Sequence, residues 1–196
     1  MLYKICVSLL TPFIYLFFRL RVTGKSNIPS GAAVVCGNHS SNLDPIVLGV
    51  ALGVRNPLCF MAKKELFDIP VLRGLLRALG TYPVDRGAAD LKAIKDSVAL
   101  LKSGKKVMLF PQGTRVKDGL SDTGSVKTGI ALLAVRAGVP IVPVYIPENI
   151  HLFKRTNVII GKPVIPEMRE GTASENYRRI SDDVFKEILS LKESQI

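Results

Sequence analysis

A histidine and an aspartate five positions apart, His39 and Asp44, are the residues of this chain best suited to acid–base chemistry. Residues five apart point about 140° away from each other on an α-helix, and on a strand an odd separation places them on opposite faces. The two side chains can therefore meet only where the chain turns between them. If they meet, the carboxylate can accept the Nδ1 proton of the ring, which leaves Nε2 as a general base.

The residues around this pair predict such a turn. The apolar run 32–36 predicts a strand, the polar run 38–42 follows it, and Pro45 suits the first position of a helix. Asp44 precedes that proline and is biased away from helical backbone angles, so it is predicted to be the N-cap of the helix. Two interpretations are open at this point: a helix cap beside an ordinary loop histidine, or a catalytic pair.

Short apolar runs alternate with helical patterns along the rest of the chain. The predicted strands cover residues 32–36, 57–61, 81–84, 106–110, 141–145 and 158–161. Apolar residues at three- and four-residue steps predict helices over about residues 91–101, 126–137 and 175–192. This alternation predicts a single-domain α/β fold with a mixed, largely parallel sheet flanked by helices.

Stretches rich in polar and charged residues follow four of these strands. They are His39 after the first strand, Lys63 after the second, Arg86 after the third, Gln112, Gly113, Thr114 and Arg115 after the fourth, and Lys127 a little further on. The carboxyl ends of neighbouring parallel strands meet at one edge of a sheet, where ligands bind. We therefore predict a basic rim beside the histidine that binds a phosphate group.

The composition of the 196 residues favours one globular domain with an anionic partner. Hydrophobic residues make up 47% of the chain, and the net charge is +11. That charge suits a nucleic acid, an anionic membrane surface or an acidic ligand. Aromatic residues are only 7% and tryptophan is absent, so the chain is poorly equipped to stack single-stranded nucleic acid bases. The three cysteines, Cys6, Cys36 and Cys59, are predicted to be buried thiols in a reducing compartment.

The first 23 residues predict a membrane-facing segment. An apolar run covers residues 5–18, is interrupted by Pro12, and is flanked by Lys4, Arg19 and Arg21. This run is shorter than the about 20 residues that a spanning helix needs. We therefore predict an interfacial helical segment over residues 1–23 and an α/β domain over residues 24–196. The alternative is a first helix that simply packs on the core of the domain.

Four sequence blocks together resemble the glycerolipid acyltransferase family, and within it the bacterial 1-acyl-sn-glycerol-3-phosphate acyltransferases. The Asn-His-x4-Asp block stands at residues 38–44, a Gly-to-Asp-Arg block at residues 80–86, the Phe-Pro-Glu-Gly-Thr-Arg block at residues 110–115 and a proline-containing apolar block at residues 139–144. Their order and spacing agree with the family over about residues 24–165. One departure stands out, because Gln112 replaces the glutamate usual in the third block.

The resemblance implies the glycerolipid acyltransferase fold and direct transfer of an acyl group from a thioester to the free hydroxyl of 1-acylglycerol 3-phosphate, giving phosphatidic acid. His39 would be the general base and Asp44 would orient it. Substrate-binding residues are implied at Lys63, Arg86, Gln112, Gly113, Thr114, Arg115 and Lys127, with the cationic ones at the acceptor phosphate. Because Gln112 lacks the charge that the family associates with holding the acceptor, another lysolipid or glycerol 3-phosphate stays open as the acceptor.

The resemblance also implies the partners of the protein. The acceptor is a membrane lipid, lysophosphatidic acid, and the donor is an acyl-carrier-protein or coenzyme A thioester that serves as co-substrate, with no cofactor, metal or nucleic acid. The enzyme would be peripheral and monotopic on the cytoplasmic face of the cell membrane, with Arg73 and Arg77 helping to face the anionic lipid surface. An alternative from a different class is a basic, non-enzymatic module that binds membranes or nucleic acid, which leaves the spacing of His39 and Asp44 unexplained.

Overall fold

The computed structural model describes residues 2–85, 90–111 and 127–194. The strands are β1 (Arg21–Thr23), β2 (Ala33–Gly37), β3 (Leu58–Lys63), β4 (Tyr82–Val84), β5 (Lys106–Leu109), β6 (Ile141–Tyr145) and β7 (Asn157–Ile160). The α-helices are α1 (Leu2–Phe17), α2 (Asp44–Leu52), α3 (Pro70–Ala78), α4 (Leu91–Lys102), α5 (Gly129–Ala137) and α6 (Ala173–Glu193).

One sheet joins the seven described strands in the order β1-β7-β6-β2-β5-β3-β4. Among these strands the β6 and β7 pair is antiparallel, and the other neighbouring pairs are parallel. This topology confirms the predicted α/β fold with a mixed, largely parallel sheet. Because β2, β5, β3 and β4 are successive parallel neighbours, the residues that follow their carboxyl ends share one edge of the sheet.

Helices cover both faces of the sheet. Val35 of β2 packs with Leu48 of α2 on one face, while Val34 and Cys36 pack with Leu133 of α5 on the other face. Side chains alternate between the faces of a strand, so a strand buried on both faces must be apolar at every position. This explains why β2 reads in the sequence as one continuous apolar run.

Helix α1 packs on the core through one face only. Tyr3, Val7 and Ile14 are buried, whereas Leu9 and Leu16 are 71% and 70% exposed. Packing on the core, the alternative for this segment, thus accounts for one side of the helix only. None of the described helices is both long enough and apolar enough to cross a bilayer. A membrane interface for residues 1–23 stays a prediction, and residues 21–23 of that segment pair with β7.

Candidate active site

The turn after β2 brings His39 and Asp44 together. The Nδ1 atom of His39 lies 2.7 Å from Oδ2 of Asp44, and the same oxygen accepts the backbone N–H groups of Ser40 and Ser41, each at 2.8 Å. A carboxylate only accepts, so the ring proton sits on Nδ1 and Nε2 carries the lone pair. The geometry is therefore that of an imidazole held in one tautomer by a fixed carboxylate.

The prediction that Asp44 is an N-cap is wrong. Helix α2 begins at Asp44 itself, Leu43 occupies the cap position, and no side chain caps the helix. Oδ2 instead accepts from N–H groups upstream of the helix. The reason is local, because the turn already presents the N–H groups of Ser40 and Ser41 to the carboxylate, while the N–H of Val47 donates to the carbonyl of Leu43.

The His39–Asp44 pair is buried, and an aromatic ring packs against the face of the imidazole. The side chain of Asp44 is 0% exposed and that of His39 is 11% exposed. The ring of Phe110 stacks on the imidazole, with the centroids 3.9 Å apart and the planes inclined by 16°. Burial strengthens the bond between ring and carboxylate by lowering the local dielectric constant, and the stacked phenyl ring restricts rotation of the imidazole.

Two apolar cavities meet at His39. One, of about 310 Å³, lies between the sheet and helices α4 and α5, and its lining includes Met108, Ile130 and Leu133. The other, of about 520 Å³, lies between α1, α2 and the end of α3 and includes Val7 in its lining. His39, Phe60, Met61 and Phe110 line both cavities. The arrangement places one general base between two sites for apolar chains.

The structure places the predicted binding residues unevenly. Lys63 at the end of β3 lines the larger cavity, and its Nζ lies 3.4 Å from Oε1 of Glu65. Lys127 lines the smaller cavity, and its backbone N–H donates to the carbonyl of Pro111 at 2.9 Å. The remaining predicted residues, Arg86, Gln112, Gly113, Thr114 and Arg115, lie outside the described residues.

No role at the site is predicted from the sequence for Phe110 or Asp85, and Cys36 is predicted to be a buried thiol. Phe110 stacks on the histidine, and Asp85 at the end of β4 forms an ion pair with Lys64. Cys36, which is near His39 in sequence, is 0% exposed, and burial raises the pKa of its thiol far above neutrality. The thiol therefore stays protonated and belongs to the core, because a thiolate is the nucleophilic form.

The fold and the site together define an α/β enzyme with a histidine–carboxylate pair between two apolar cavities. The acyltransferase family model matches residues 19–147, and the chain belongs to that family. This membership excludes the non-enzymatic binding module as the class of the protein.

The chain is similar to curated relatives and to a solved structure. It is 33% identical over 170 residues to the 1-acyl-sn-glycerol-3-phosphate acyltransferase of Bacillus subtilis, covering 83% of this chain and 82% of that protein. It is 30% identical to the chloroplast enzyme of the same name from Arabidopsis thaliana, covering 87% of this chain but only 51% of that protein. The chain thus spans about half the length of the chloroplast relative. The crystal structure of the acyltransferase PlsC from Thermotoga maritima shares its fold, with a TM-score of 0.66, 23% identity, and coverage of 97% of this chain and 95% of that one.

Proposed function

We propose that the protein transfers an acyl group from a thioester to the free hydroxyl of 1-acylglycerol 3-phosphate, giving phosphatidic acid. The observation that carries the proposal is the buried His39–Asp44 pair at the junction of two apolar cavities. The names of the relatives from Bacillus subtilis and Arabidopsis thaliana support the same acceptor.

The reaction requires His39 to accept a proton from the acceptor hydroxyl and then to donate it to the leaving thiolate. Nε2 of His39 takes the proton of the acceptor hydroxyl as its oxygen attacks the thioester carbonyl. The new C–O bond forms, the C–S bond breaks, and the imidazolium returns the proton to the departing sulfur. Asp44 stabilises the imidazolium and holds the ring in place, as the carboxylate does in other histidine-based sites. A positioned general base of this kind contributes about 10²–10⁴ in rate.

The substrates divide between the cavities and the basic rim. Two separate apolar cavities suit a reaction that brings together two acyl chains, one on the thioester and one on the acceptor. Lys63 and Lys127, each on the lining of one cavity, together with Arg86 and Arg115, would hold the acceptor phosphate by charge-assisted hydrogen bonds. Gln112, Gly113 and Thr114 would complete the acceptor site, and the neutral amide of Gln112 can donate to and accept from a glycerol hydroxyl.

The proposal also covers the acyl donor and the location of the protein in the cell. The donor is an acyl-carrier-protein or coenzyme A thioester, and both are anionic partners for a chain with a net charge of +11. The protein would be peripheral on the cytoplasmic face of the membrane. Exposed apolar residues on α1 and α3, including Leu16 at 70% and Val71 at 86%, support a surface that contacts lipid.

Replacing each of the two histidines in turn tests the function. His39→Ala should lower the rate of acyl transfer to lysophosphatidic acid by about 10²–10⁴-fold while the protein stays folded. His151→Ala is the matched control, because His151 is exposed in the loop after β6. If His39→Ala transferred the acyl group at the rate of the unaltered protein, His39 would not be the general base and the mechanism would be wrong.

One residue favours a second candidate acceptor. Gln112 stands where the family usually has glutamate, so another lysolipid or glycerol 3-phosphate is the alternative. Assaying these acceptors side by side with the unaltered protein and Gln112→Glu distinguishes them. Lysophosphatidic acid should give the highest kcat/KM in the unaltered protein, and a higher value for another acceptor would replace our assignment.

A further inference from the structure

Asn38 joins the turn of residues 38–44, which we call the catalytic turn, to the end of β6. From this geometry we infer that Asn38 is a positioning residue for His39. Its side chain is 0% exposed. Nδ2 of Asn38 donates to the carbonyl of Ile146 at 2.7 Å, and Oδ1 accepts the backbone N–H of the same residue at 2.8 Å. The inference rests on the proposed function, because it assigns a role within the same reaction.

The two bonds continue the pairing of β2 with β6 beyond the end of the strand. The last backbone pair of that parallel ladder joins Gly37 to Val144. A side-chain amide carries the same kinds of donor and acceptor as a peptide group. The Asn38 amide can therefore make the hydrogen bonds of a peptide group at the point where the backbone leaves the sheet. The two strands approach closely here, since a Cβ on Gly37 would lie 3.0 Å from the carbonyl oxygen of Val144.

The catalytic turn is thereby fixed at both of its ends. At one end the amide of Asn38 is bonded to Ile146, which is itself 0% exposed. At the other end Asp44, the first residue of α2, holds the imidazole of His39. Loss of the Asn38 bonds would free the backbone of His39 at the start of the turn, so that only the contacts with Asp44 and Phe110 would hold the imidazole and the ring could shift. A displacement of about 1 Å at a reacting group can cost on the order of 10² in rate.

A second asparagine provides a matched control for the structural part of this role. Asn176 is 2% exposed, and its amide makes the same two-bond pair with one backbone residue, accepting from the N–H of Arg169 at 2.7 Å and donating to its carbonyl at 2.9 Å. This residue lies in the first turn of α6 and lines neither of the two cavities at His39. Replacing either asparagine by alanine leaves a backbone N–H and a carbonyl without their partner, so both variants should lose stability.

The experiment compares Asn38→Ala with Asn176→Ala in the full chain. Urea unfolding gives the stability of each variant, and steady-state kinetics with lysophosphatidic acid and an acyl coenzyme A gives kcat and KM. Asn38→Ala should lower kcat by about 10–100-fold with KM changed less than about threefold, whereas Asn176→Ala should leave kcat within about twofold of the unaltered protein. If Asn38→Ala does not fold, Asn38→Ser replaces it, because a hydroxyl can still make one of the two bonds.

A direct view of the ring separates this inference from the proposed function. In ¹⁵N spectra of labelled histidine, the His39 imidazole signals should shift or broaden in Asn38→Ala and stay unchanged in Asn176→Ala. This readout holds even if the unaltered protein proves inactive on lysophosphatidic acid, a result that would overturn the proposed acceptor instead. An Asn38→Ala protein with unaltered kcat, or with unaltered His39 signals, overturns the positioning role. So does a loss of kcat that simply follows the loss of stability in both variants.

Discussion

Three N–H groups meet a single oxygen of Asp44, and this convergence decides what the residue does. Nδ1 of His39 and the backbone N–H groups of Ser40 and Ser41 all lie within 2.8 Å of Oδ2. Hydrogen bonds to an ionised acceptor are roughly twice as strong as neutral ones. The carboxylate is therefore fixed before substrate arrives, and it can orient the imidazole without a conformational change.

Substitution of Asp44 by asparagine should lower kcat by about 10²–10⁴-fold. The amide is close to the carboxylate in shape, but its NH₂ group cannot accept a hydrogen bond, and its neutral oxygen no longer stabilises an imidazolium. KM for the acceptor should change little, because Asp44 acts on the ring and not on the phosphate. Steady-state kinetics at a temperature where circular dichroism shows a folded protein measures the effect.

Asp68→Asn is the control, since it removes the same charge from an exposed residue. It should leave kcat unchanged. An Asp44→Asn protein that keeps its kcat within about threefold would mean that Asp44 does not orient the base, and that its role is to stabilise the turn.

The contacts of the site differ in how far the sequence could predict them. The spacing of five residues and the turn signals between His39 and Asp44 allow their pairing to be predicted as one of two interpretations, the other being a helix cap beside an ordinary histidine. The stacking of Phe110 does not, because it depends on β2 and β5 becoming neighbours in the sheet. The bonds between Asn38 and Ile146 join residues 108 positions apart. Long-range partners of this kind are set by the topology and leave no local pattern.

At the level of elements, burial explains which strands the sequence predicts. Strand β6 is buried at every position and coincides with its predicted range, 141–145. Strand β1 has three residues at the edge of the sheet and no apolar run, so its pattern is too short to detect. Helix α3 has apolar residues at helical spacing between Leu72 and Leu79, but none of its residues is buried, so this pattern does not mark a helix that packs on the core. Helix α6 begins at Ala173 rather than at about residue 175, and the capping box of Thr172 and Glu175 is a sequence signal for that start.

The end of β6 is tied to α6 through one carboxylate. Glu148 accepts the hydroxyl of Tyr145 at 2.9 Å and the ammonium group of Lys192 at 2.8 Å. Burial acts to raise the pKa of Glu148, but the hydrogen bonds from Lys192, from the backbone N–H of Glu148 and from Tyr145, with the charge of Lys192, together outweigh it and hold the pKa below its ordinary value. The ionised form is therefore the one that the fold stabilises.

Replacement of Glu148 by glutamine should remove a pH-dependent part of the stability. A lowered pKa in the folded state contributes stability that is fully present above the unfolded pKa of about 4.3 and is lost as the pH falls through the folded pKa. The free energy of unfolding of Glu148→Gln should lie on the order of 1 kcal/mol below that of the unaltered protein at pH 7, and the difference should shrink in acid. Urea unfolding of both proteins at pH 7 and at acidic pH measures this difference in the free energy of unfolding. Glu187→Gln, on the same helix, is the control, and an equal effect there would show that α6 responds to charge alone.

At the scale of the whole molecule, helix α1 and the loop after β6 bring exposed apolar residues together in one surface. Those on α1 include Leu9 and Leu16, and in the loop after β6 Leu152 and Phe153 are 54% and 68% exposed. The ring of Phe153 contacts Phe17 at the end of α1, with the centroids 5.8 Å apart. Arg19, Lys154 and Arg155 are exposed beside them. The sequence composition predicts an anionic partner, but only the fold shows that helix and loop combine cations and apolar side chains in one surface.

This surface predicts how the protein should bind lipid vesicles. Binding to phosphatidylglycerol vesicles should be stronger than to neutral phosphatidylcholine vesicles, and it should weaken as salt shortens the Debye length from about 10 Å at 0.1 M to about 3 Å at 1 M. Leu16→Ser should lower the affinity about 10–100-fold, because burying one leucine contributes about 1.5–3 kcal/mol. The matched control is Leu91→Ser, since Leu91 is 67% exposed but lies on α4. Vesicle sedimentation measures all of these quantities. If Leu91→Ser weakened binding as much as Leu16→Ser, or if neutral vesicles bound equally well, the membrane-facing surface would have to be placed elsewhere.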